Sequence, residues 1–239
     1  MTSTESRTIL FIGDSFATPE AAKRLAETLE LHEGTSTKRY QVVRLGYPGM
    51  GLAHFLPEVR RHVEESPPDI VIHVYPDTDA CRHYSLLKRL VFPSPRLAIK
   101  GWLYCWLLSN RLRRMHATLG DTTWGLLSAT ILREVDIRNG LEMDRKLFQE
   151  FAAFLGERHI RYIVCLWDVA NFGLTSRFRR RLEFLTTYGH ARFFPDLNDY
   201  LSLFHEWEYK IPNDGHPNDL GNRLMARYIV TKGVEAGFL

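Results

Sequence analysis

Thr8-Ile-Leu-Phe-Ile-Gly13 is a short apolar run, rich in β-branched side chains, that ends in glycine. A run of this length and composition predicts a buried strand. Thr18 and Pro19 follow it in the order of a helix cap and a first-turn proline, and apolar side chains then recur at helical spacing over residues 22–29. The stretch therefore predicts a strand and then a helix, which is the repeating unit of a parallel sheet.

The same alternation continues along the chain. Further strands are predicted at residues 40–45, 69–75, 162–167 and 191–194, and further helices at residues 52–65, 141–158, 178–188 and 220–230. Five strands that alternate with helices predict an α/β protein with a central five-stranded parallel sheet and helices on both faces. Residues 80–140 interrupt the alternation and are predicted to be a helical insertion within a single domain, residues 1–239.

The composition is typical of a globular protein. Of the 239 residues, 45% are hydrophobic and 25% are charged, which excludes a disordered tail protein, a collagen and a disulfide-stapled mini-protein. The three cysteines lie far apart, so we expect reduced thiols. Because no apolar run reaches about 18 residues and no apolar segment precedes the first strand, we expect neither a transmembrane helix nor a signal peptide. These observations predict a cytoplasmic protein.

Polar residues follow the predicted strands at the edge where parallel sheets bind their ligands. Ser15 stands in a tight turn after the first strand, and His216 precedes the last helix, with Asp214 two residues before it. A serine hydroxyl becomes a nucleophile when a base accepts its proton and a third group orients that base. Alone, the Gly-Asp-Ser turn also fits a helix cap, and the Asp-Gly-His-Pro segment also fits a surface turn. Together, in this order, they indicate nucleophilic catalysis.

The other histidines give no sign of a metal site. His73 lies within an apolar strand and is predicted to be a buried core residue, and His54 is predicted to lie on a helix surface. None of the remaining histidines has the spacing of metal ligands, so neither a metal nor another cofactor is expected.

Two segments resemble the first and last sequence blocks of the SGNH, or GDSL, hydrolases. They are residues 13–16, Gly-Asp-Ser-Phe, and residues 214–223, Asp-Gly-His-Pro-Asn-Asp-Leu-Gly-Asn-Arg. The resemblance covers nearly the whole chain except residues 80–140. It implies a flavodoxin-like three-layer α/β/α sandwich that hydrolyses or transfers acyl esters without a metal.

The resemblance also implies the roles of the site residues. By this comparison Ser15 is the nucleophile, His216 is the base, and Asp214 is the acid that orients the base. Asp14 belongs to the sequence motif but not to the triad.

The oxyanion donors follow the resemblance less closely. Gly49 matches the glycine of the second block, whose N–H helps to bind the oxyanion, although Gly46 fits an alternative register. The family's third block supplies an asparagine amide, whereas residues 75–79 read Tyr-Pro-Asp-Thr-Asp and place Thr78 at that position. This departure predicts a weaker third donor.

The favoured function is that of an SGNH/GDSL-type esterase, a serine hydrolase that cleaves a small acyl ester through an acyl-enzyme intermediate. The expected acyl portion of that ester is an acetyl or other short acyl group. Two alternatives stay open: an acyltransferase that uses the same triad, and a non-catalytic or weakly active binding protein with the same fold. The presence of Ser15, Asp214 and His216 together favours an enzyme.

Positive charge is concentrated in the predicted insertion. The net charge is only +3, yet residues 80–120 contain eight basic residues and no acidic one. Such a block indicates an anionic partner. Residues 97–114 combine tryptophans at helical spacing with arginines, which fits either an interfacial helix on an anionic membrane or a helical cap over the active site. We favour the cap, with a small and anionic ester as the partner, and no nucleic-acid-binding motif accompanies the block.

Overall fold

The structure is a computed structural model. It describes residues 5–33, 38–48, 50–76, 141–167, 175–212 and 216–239. The chain divides into two units, residues 1–79 with 144–239 and residues 80–143, and almost all of the described residues belong to the first. The predicted insertion at about 80–140, with its segment 97–114, lies outside the described residues.

Five parallel strands form one sheet, as the alternation predicts. They are β1 (Glu5–Gly13), β2 (Lys38–Gly46), β3 (Ile70–Pro76), β4 (Arg161–Trp167) and β5 (Ala191–Phe194). Their order is β2-β1-β3-β4-β5, and every pair is parallel. This is the flavodoxin-like order, in which the chain changes direction across the sheet between β1 and β3. A ligand site is therefore expected beyond the carboxyl ends of these two strands.

Helices connect the strands and pack against them. They are α1 (Pro19–Glu33), α2 (Leu52–Glu65), α3 (residues 141–156), α4 (Thr175–Leu182), α5 (Leu197–Leu201), α6 (Glu206–Tyr209) and α7 (Asp219–Glu235). The single helix predicted at 178–188 is wrong in its bounds, since α4 ends at Leu182 and a 3₁₀ helix, Glu183–Thr187, follows it. The two short helices α5 and α6 were not predicted from the sequence.

The sheet is the middle of three layers. On one face, apolar side chains of β1 and β3 pack with α1 and α7 in a cluster that includes Phe11, Val74, Leu25 and Ile229. On the other face, aromatic side chains of α2 and α3 meet the ring of His73. Because both faces are covered, the central strands are buried throughout, and they read as continuous apolar runs in the sequence.

His73 is a fully buried residue of β3, as predicted. Its Nδ1 lies 2.9 Å from the Tyr162 hydroxyl, and its Nε2 has no hydrogen-bond partner in the part of the chain that the structure describes. Burial lowers the pKa of His73 to about 3, so this imidazole is neutral in the folded protein. His54 is exposed on α2, which also agrees with its prediction.

Three further findings concern the described ranges only. Cys165 is a buried free thiol, and burial raises its pKa. Across these ranges, no helix has the length and apolarity that a membrane span needs. Within the same ranges, no cluster of histidine, cysteine and carboxylate side chains is arranged to hold a metal ion.

Candidate active site

A tight turn carries Ser15 from the end of β1 into α1. The turn is closed by a hydrogen bond of 3.2 Å from the Ala17 N–H to the Asp14 carbonyl. The Asp14 carboxylate is fully buried, and its Oδ1 accepts the Phe16 N–H at 2.9 Å. This bond fixes the backbone on the far side of Ser15. The Ser15 side chain itself is half-buried, at the carboxyl end of the sheet.

Glycine at position 13 allows the turn to lie against the neighbouring strand. A Cβ placed there would lie 2.7 Å from the Val74 carbonyl oxygen and 3.1 Å from the Ala17 Cβ. The first of these contacts is with backbone, which cannot rotate away. The Gly13 carbonyl in turn accepts the Tyr47 N–H at 3.0 Å, which ties the end of β1 to the segment that follows β2.

Gly46, the last residue of β2, has a similar structural role. A Cβ there would lie 2.6 Å from the Ala17 carbonyl oxygen. The Arg44 Nε–H donates a hydrogen bond to the same carbonyl, and the Arg44 guanidinium fills the space beside Gly46. A residue without a side chain therefore lets β2 approach the turn that carries Ser15.

His216 meets Ser15 across the whole length of the chain. Its Nε2 lies 2.7 Å from Ser15 Oγ, although the two residues are 201 positions apart. The Ser15 hydroxyl also donates to Asp14 Oδ2 at 3.0 Å. Ser15 Oγ thus lies between an imidazole and a buried carboxylate. A serine in hydrogen-bond contact with an imidazole nitrogen is the arrangement that nucleophilic catalysis requires.

The segment that carries His216 is fixed on both sides. Before it, the Ile211 N–H donates to the His216 carbonyl at 2.8 Å. After it, Asn218 caps α7: its side chain accepts the Gly221 N–H at 3.0 Å and donates to the Glu208 carbonyl at 2.7 Å. A side-chain cap of this kind satisfies one of the free N–H groups of the helix end. His216, the predicted base, is therefore held by the end of α7 and by α6.

Aromatic rings cover one face of the imidazole. The Phe16 ring stacks on His216 with ring centroids 4.8 Å apart and planes inclined by 22°. The ring of Trp167, at the end of β4, lies 5.6 Å from that of Phe16, and Tyr209 meets Trp167 edge-on at 6.4 Å. Phe16 and Trp167 are buried. The imidazole thus lies between apolar aromatic side chains and the Ser15 hydroxyl.

Comparisons with known proteins identify the fold. No family model matches the chain, and no curated protein matches its sequence. Solved structures match over nearly the whole chain, at low identity. TesA has a TM-score of 0.61 and 10% identity, covering 96% of this chain and 99% of its own. The acetyl xylan esterase AlAXEase has a TM-score of 0.57 and 14% identity, covering 94% and 98%. A lipase/acylhydrolase from Enterococcus faecalis has a TM-score of 0.54 and 14% identity, covering 97% and 96%.

The chain has the SGNH hydrolase fold. This confirms the α/β class and the three layers that the sequence resemblance implies. In the SGNH hydrolase fold of this chain, the Ser15–His216 contact lies at the carboxyl edge of the sheet, where the change of direction between β1 and β3 predicts a site.

The structure describes two of the five predicted site residues. It brings Ser15 and His216 together. The other three, Asp214, Gly49 and Thr78, lie outside the described residues. Their roles as triad acid and oxyanion donors therefore stay predictions.

Two residues of the site were not predicted from the sequence. Phe16 was noted only as part of a motif, and nothing in a sequence indicates which side chain covers an imidazole 200 positions away. Asn218 offered a readable signal, since asparagine before a helical segment is a common N-cap. Its second contact, with the Glu208 carbonyl of α6, had none.

Proposed function

We propose that this protein is a serine hydrolase that cleaves a carboxylic ester through a Ser15–His216–Asp214 triad and an acyl-enzyme intermediate. The observation that carries the proposal is the distance of 2.7 Å between His216 Nε2 and Ser15 Oγ. The fold adds support, because several structural neighbours are named as esterases or acylhydrolases.

The proposed substrate is a small ester with an acetyl or other short acyl group. Three of the structural neighbours support this choice by name, since two are acetyl xylan esterases and one is a family 3 carbohydrate esterase from Clostridium thermocellum. The basic composition of residues 80–120 favours an anionic substrate among such esters.

The first half of the reaction forms an ester with Ser15. His216 Nε2 accepts the hydroxyl proton while Ser15 Oγ attacks the carbonyl carbon, and the carbonyl oxygen becomes an oxyanion. The imidazolium then gives this proton to the departing alcohol as the bond to that alcohol breaks. In the second half, His216 takes a proton from water while the water oxygen attacks the acyl carbon. The bond between that carbon and Ser15 Oγ then breaks, His216 returns the proton to Ser15 Oγ, and the carboxylic acid leaves.

Ser15 has two acceptors for its proton before the reaction starts. When the hydroxyl donates to Asp14 Oδ2, its hydrogen points away from His216. Attack therefore requires rotation about the Cβ–Oγ bond, toward the nitrogen that lies 2.7 Å away. Asp14 also holds the Phe16 N–H, so we assign it the role of fixing the turn and not that of the general base.

Oxyanion stabilisation is assigned to donors at the carboxyl ends of the first three strands. The Ser15 N–H, the Gly49 N–H and the Thr78 hydroxyl are the proposed donors. Each donor in such a site typically contributes about 2.7–4 kcal/mol to transition-state stabilisation. Asp214 is proposed to orient the His216 ring from the same loop.

Hydrolysis of p-nitrophenyl acetate tests the proposal. Ser15→Ala should lower kcat/KM by roughly 10³-fold or more, since no other group can carry the acyl chain, and His216→Ala should be nearly as damaging. Ser202→Ala is the matched control, because this serine is exposed and its hydroxyl donates to the Asp199 carbonyl of α5. A folded Ser15→Ala protein that keeps the wild-type rate would refute the assignment.

A further inference from the structure

Phe16 contacts the proposed base, but the reaction described above assigns it no role. Its ring lies nearly parallel to the His216 imidazole at 4.8 Å between centroids, within the distance at which an aromatic face attracts a cation. The phenylalanine is 1% exposed, so its side chain is shielded from bulk solvent. The imidazole therefore has the negative face of a benzene ring on one side.

The charge of His216 changes during the proposed reaction. The imidazole is neutral when it accepts the Ser15 proton and is an imidazolium in the tetrahedral intermediate. An aromatic face interacts more strongly with a cation than with a neutral ring, because the ring quadrupole is negative above its plane. The Phe16 contact thus becomes more favourable as the proton moves, which is the condition for an interaction to accelerate a reaction.

The position of the Phe16 ring is set by independent contacts. The Phe16 N–H is held by Asp14 Oδ1, and the ring contacts Trp167, with centroids 5.6 Å apart. Ring and imidazole are consequently fixed by different parts of the chain, the first by the turn after β1 and the second by the segment before α7. The contact between the two rings is therefore set by two separately fixed segments of the chain.

We propose, on the basis of the proposed function, that Phe16 is a positioning residue that holds the His216 imidazole in line with Ser15 Oγ and stabilises its cationic form during proton transfer. Phe16 acts through His216 and needs no contact with the substrate. Its removal should therefore lower kcat while KM changes little.

Fluorinated phenylalanines separate the electrostatic effect from the shape of the ring. Mono-, di- and trifluorophenylalanine at position 16 withdraw electron density from the face step by step, with small changes in volume. The range of cation–π energies predicts a total fall in kcat/KM of roughly 2- to 30-fold across the series. The same series at Phe11, a fully buried core residue with no histidine contact among those described, is the matched control.

A second readout does not require ester hydrolysis. An alkyl fluorophosphonate labels an activated serine: Ser15 Oγ forms a bond to phosphorus, fluoride leaves, and His216 accepts the hydroxyl proton. The labelling rate should fall through the position-16 series in the same order as kcat/KM and stay constant through the position-11 series. Phe16→Leu, which keeps apolar bulk without a ring, should lower both rates at least as much as trifluorophenylalanine does.

Each outcome decides the proposal. A graded fall at position 16 with a flat series at position 11 supports it. A flat series at position 16, in a protein whose hydrolysis depends on Ser15, overturns the role of Phe16 and leaves the proposed function standing. Equal falls at both positions overturn it too, since they reflect general packing. Wild-type protein that neither hydrolyses esters nor becomes labelled at Ser15 overturns the proposed function and this inference together.

Discussion

Acid should destabilise this protein through a single buried histidine. His73 is fully buried on β3, and burial lowers its pKa from 6.5 to about 3. A charged imidazole needs an acceptor for each N–H. Among the residues that the structure describes, Nδ1 has a partner, the Tyr162 hydroxyl at 2.9 Å, and Nε2 has none. The rings of Phe55 and Phe148 surround the rest of the side chain. Protonation therefore favours the unfolded chain, in which water solvates the charge.

The size of the effect follows from the two pKa values. The unfolded chain takes up the proton near pH 6.5, whereas the folded protein takes it up only near pH 3. The contribution of the neutral His73 side chain to the free energy of unfolding is therefore complete above pH 6.5 and is lost as the pH falls toward 3. The full difference is about 5 kcal/mol, which is comparable with the whole stability of many domains. Between pH 8 and pH 5 the loss from His73 alone is about 2 kcal/mol.

Urea unfolding between pH 8 and pH 5 measures this loss. The test compares Tyr162→Phe with the double variant Tyr162→Phe/His73→Leu. Both proteins lack the Tyr162 hydroxyl, so the loss of its hydrogen-bond partner in His73→Leu does not affect the comparison. Other titrating groups contribute equally to both proteins, and the difference between their pH dependences isolates His73. We expect the single variant to lose about 2 kcal/mol more than the double variant over this range.

Equal pH dependence in the two variants would refute this argument. It would mean that His73 takes up its proton in the folded protein without cost, and hence that water or another acceptor reaches Nε2. The contact with Tyr162 would then be part of a solvated network and not of a dry core.

Substitutions at three further positions, Gly13, Asp14 and Thr78, test the site. Gly13→Ala places a Cβ 2.7 Å from the Val74 carbonyl oxygen, so we expect a lower urea midpoint and a loss of ester hydrolysis. An unchanged midpoint and rate would show that the turn shifts without cost. Asp14→Ala leaves a buried N–H of the turn unpaired and should lower the free energy of unfolding by about 1–3 kcal/mol, whereas Ser15→Ala should barely change it. Thr78→Val should lower kcat on p-nitrophenyl acetate by about 10²-fold, and Thr78→Asn should raise it several-fold. Equal rates for the wild type and Thr78→Val would exclude this hydroxyl as an oxyanion donor.

The interior strands could be predicted because burial on both faces leaves a simple sequence signal. Ile70–Pro76 is buried at every position, and its sequence is correspondingly almost continuously apolar. The ends of the strands carried no such signal. β1 begins at Glu5 and β2 at Lys38, both earlier than predicted, because backbone pairing between the two strands continues into a polar stretch of sequence.

The short helices could not be predicted for a different reason. α5 and α6 contain five and four residues, which is too short for a helical period to appear in the sequence. Helices of this length are not stable alone, and tertiary packing decides whether they form. Here α5 buries Leu201 and α6 buries Tyr209, whose ring contacts that of Trp167.

The nucleophile and the base could be proposed from sequence because each belongs to a short motif with its own chemistry. Their distance could not, since 201 positions separate them. The parallel sheet supplies the missing information: it places the turn after β1 at the carboxyl edge, and α7 packs beside α1 on one face of the same sheet. The segment before α7 is thereby brought to the turn that carries Ser15.

Three consecutive residues of one turn thus each contribute to the contact between Ser15 and His216. Asp14 fixes the backbone of Phe16, Ser15 offers its hydroxyl to His216, and Phe16 covers the ring of that histidine. A change in the backbone of this turn would therefore displace both the Ser15 hydroxyl and the ring that packs on His216. This coupling gives a reason for the tight fixing of the turn, by a glycine that no larger residue can replace without a clash and by a buried carboxylate whose partners include the Phe16 N–H and the Ser15 hydroxyl.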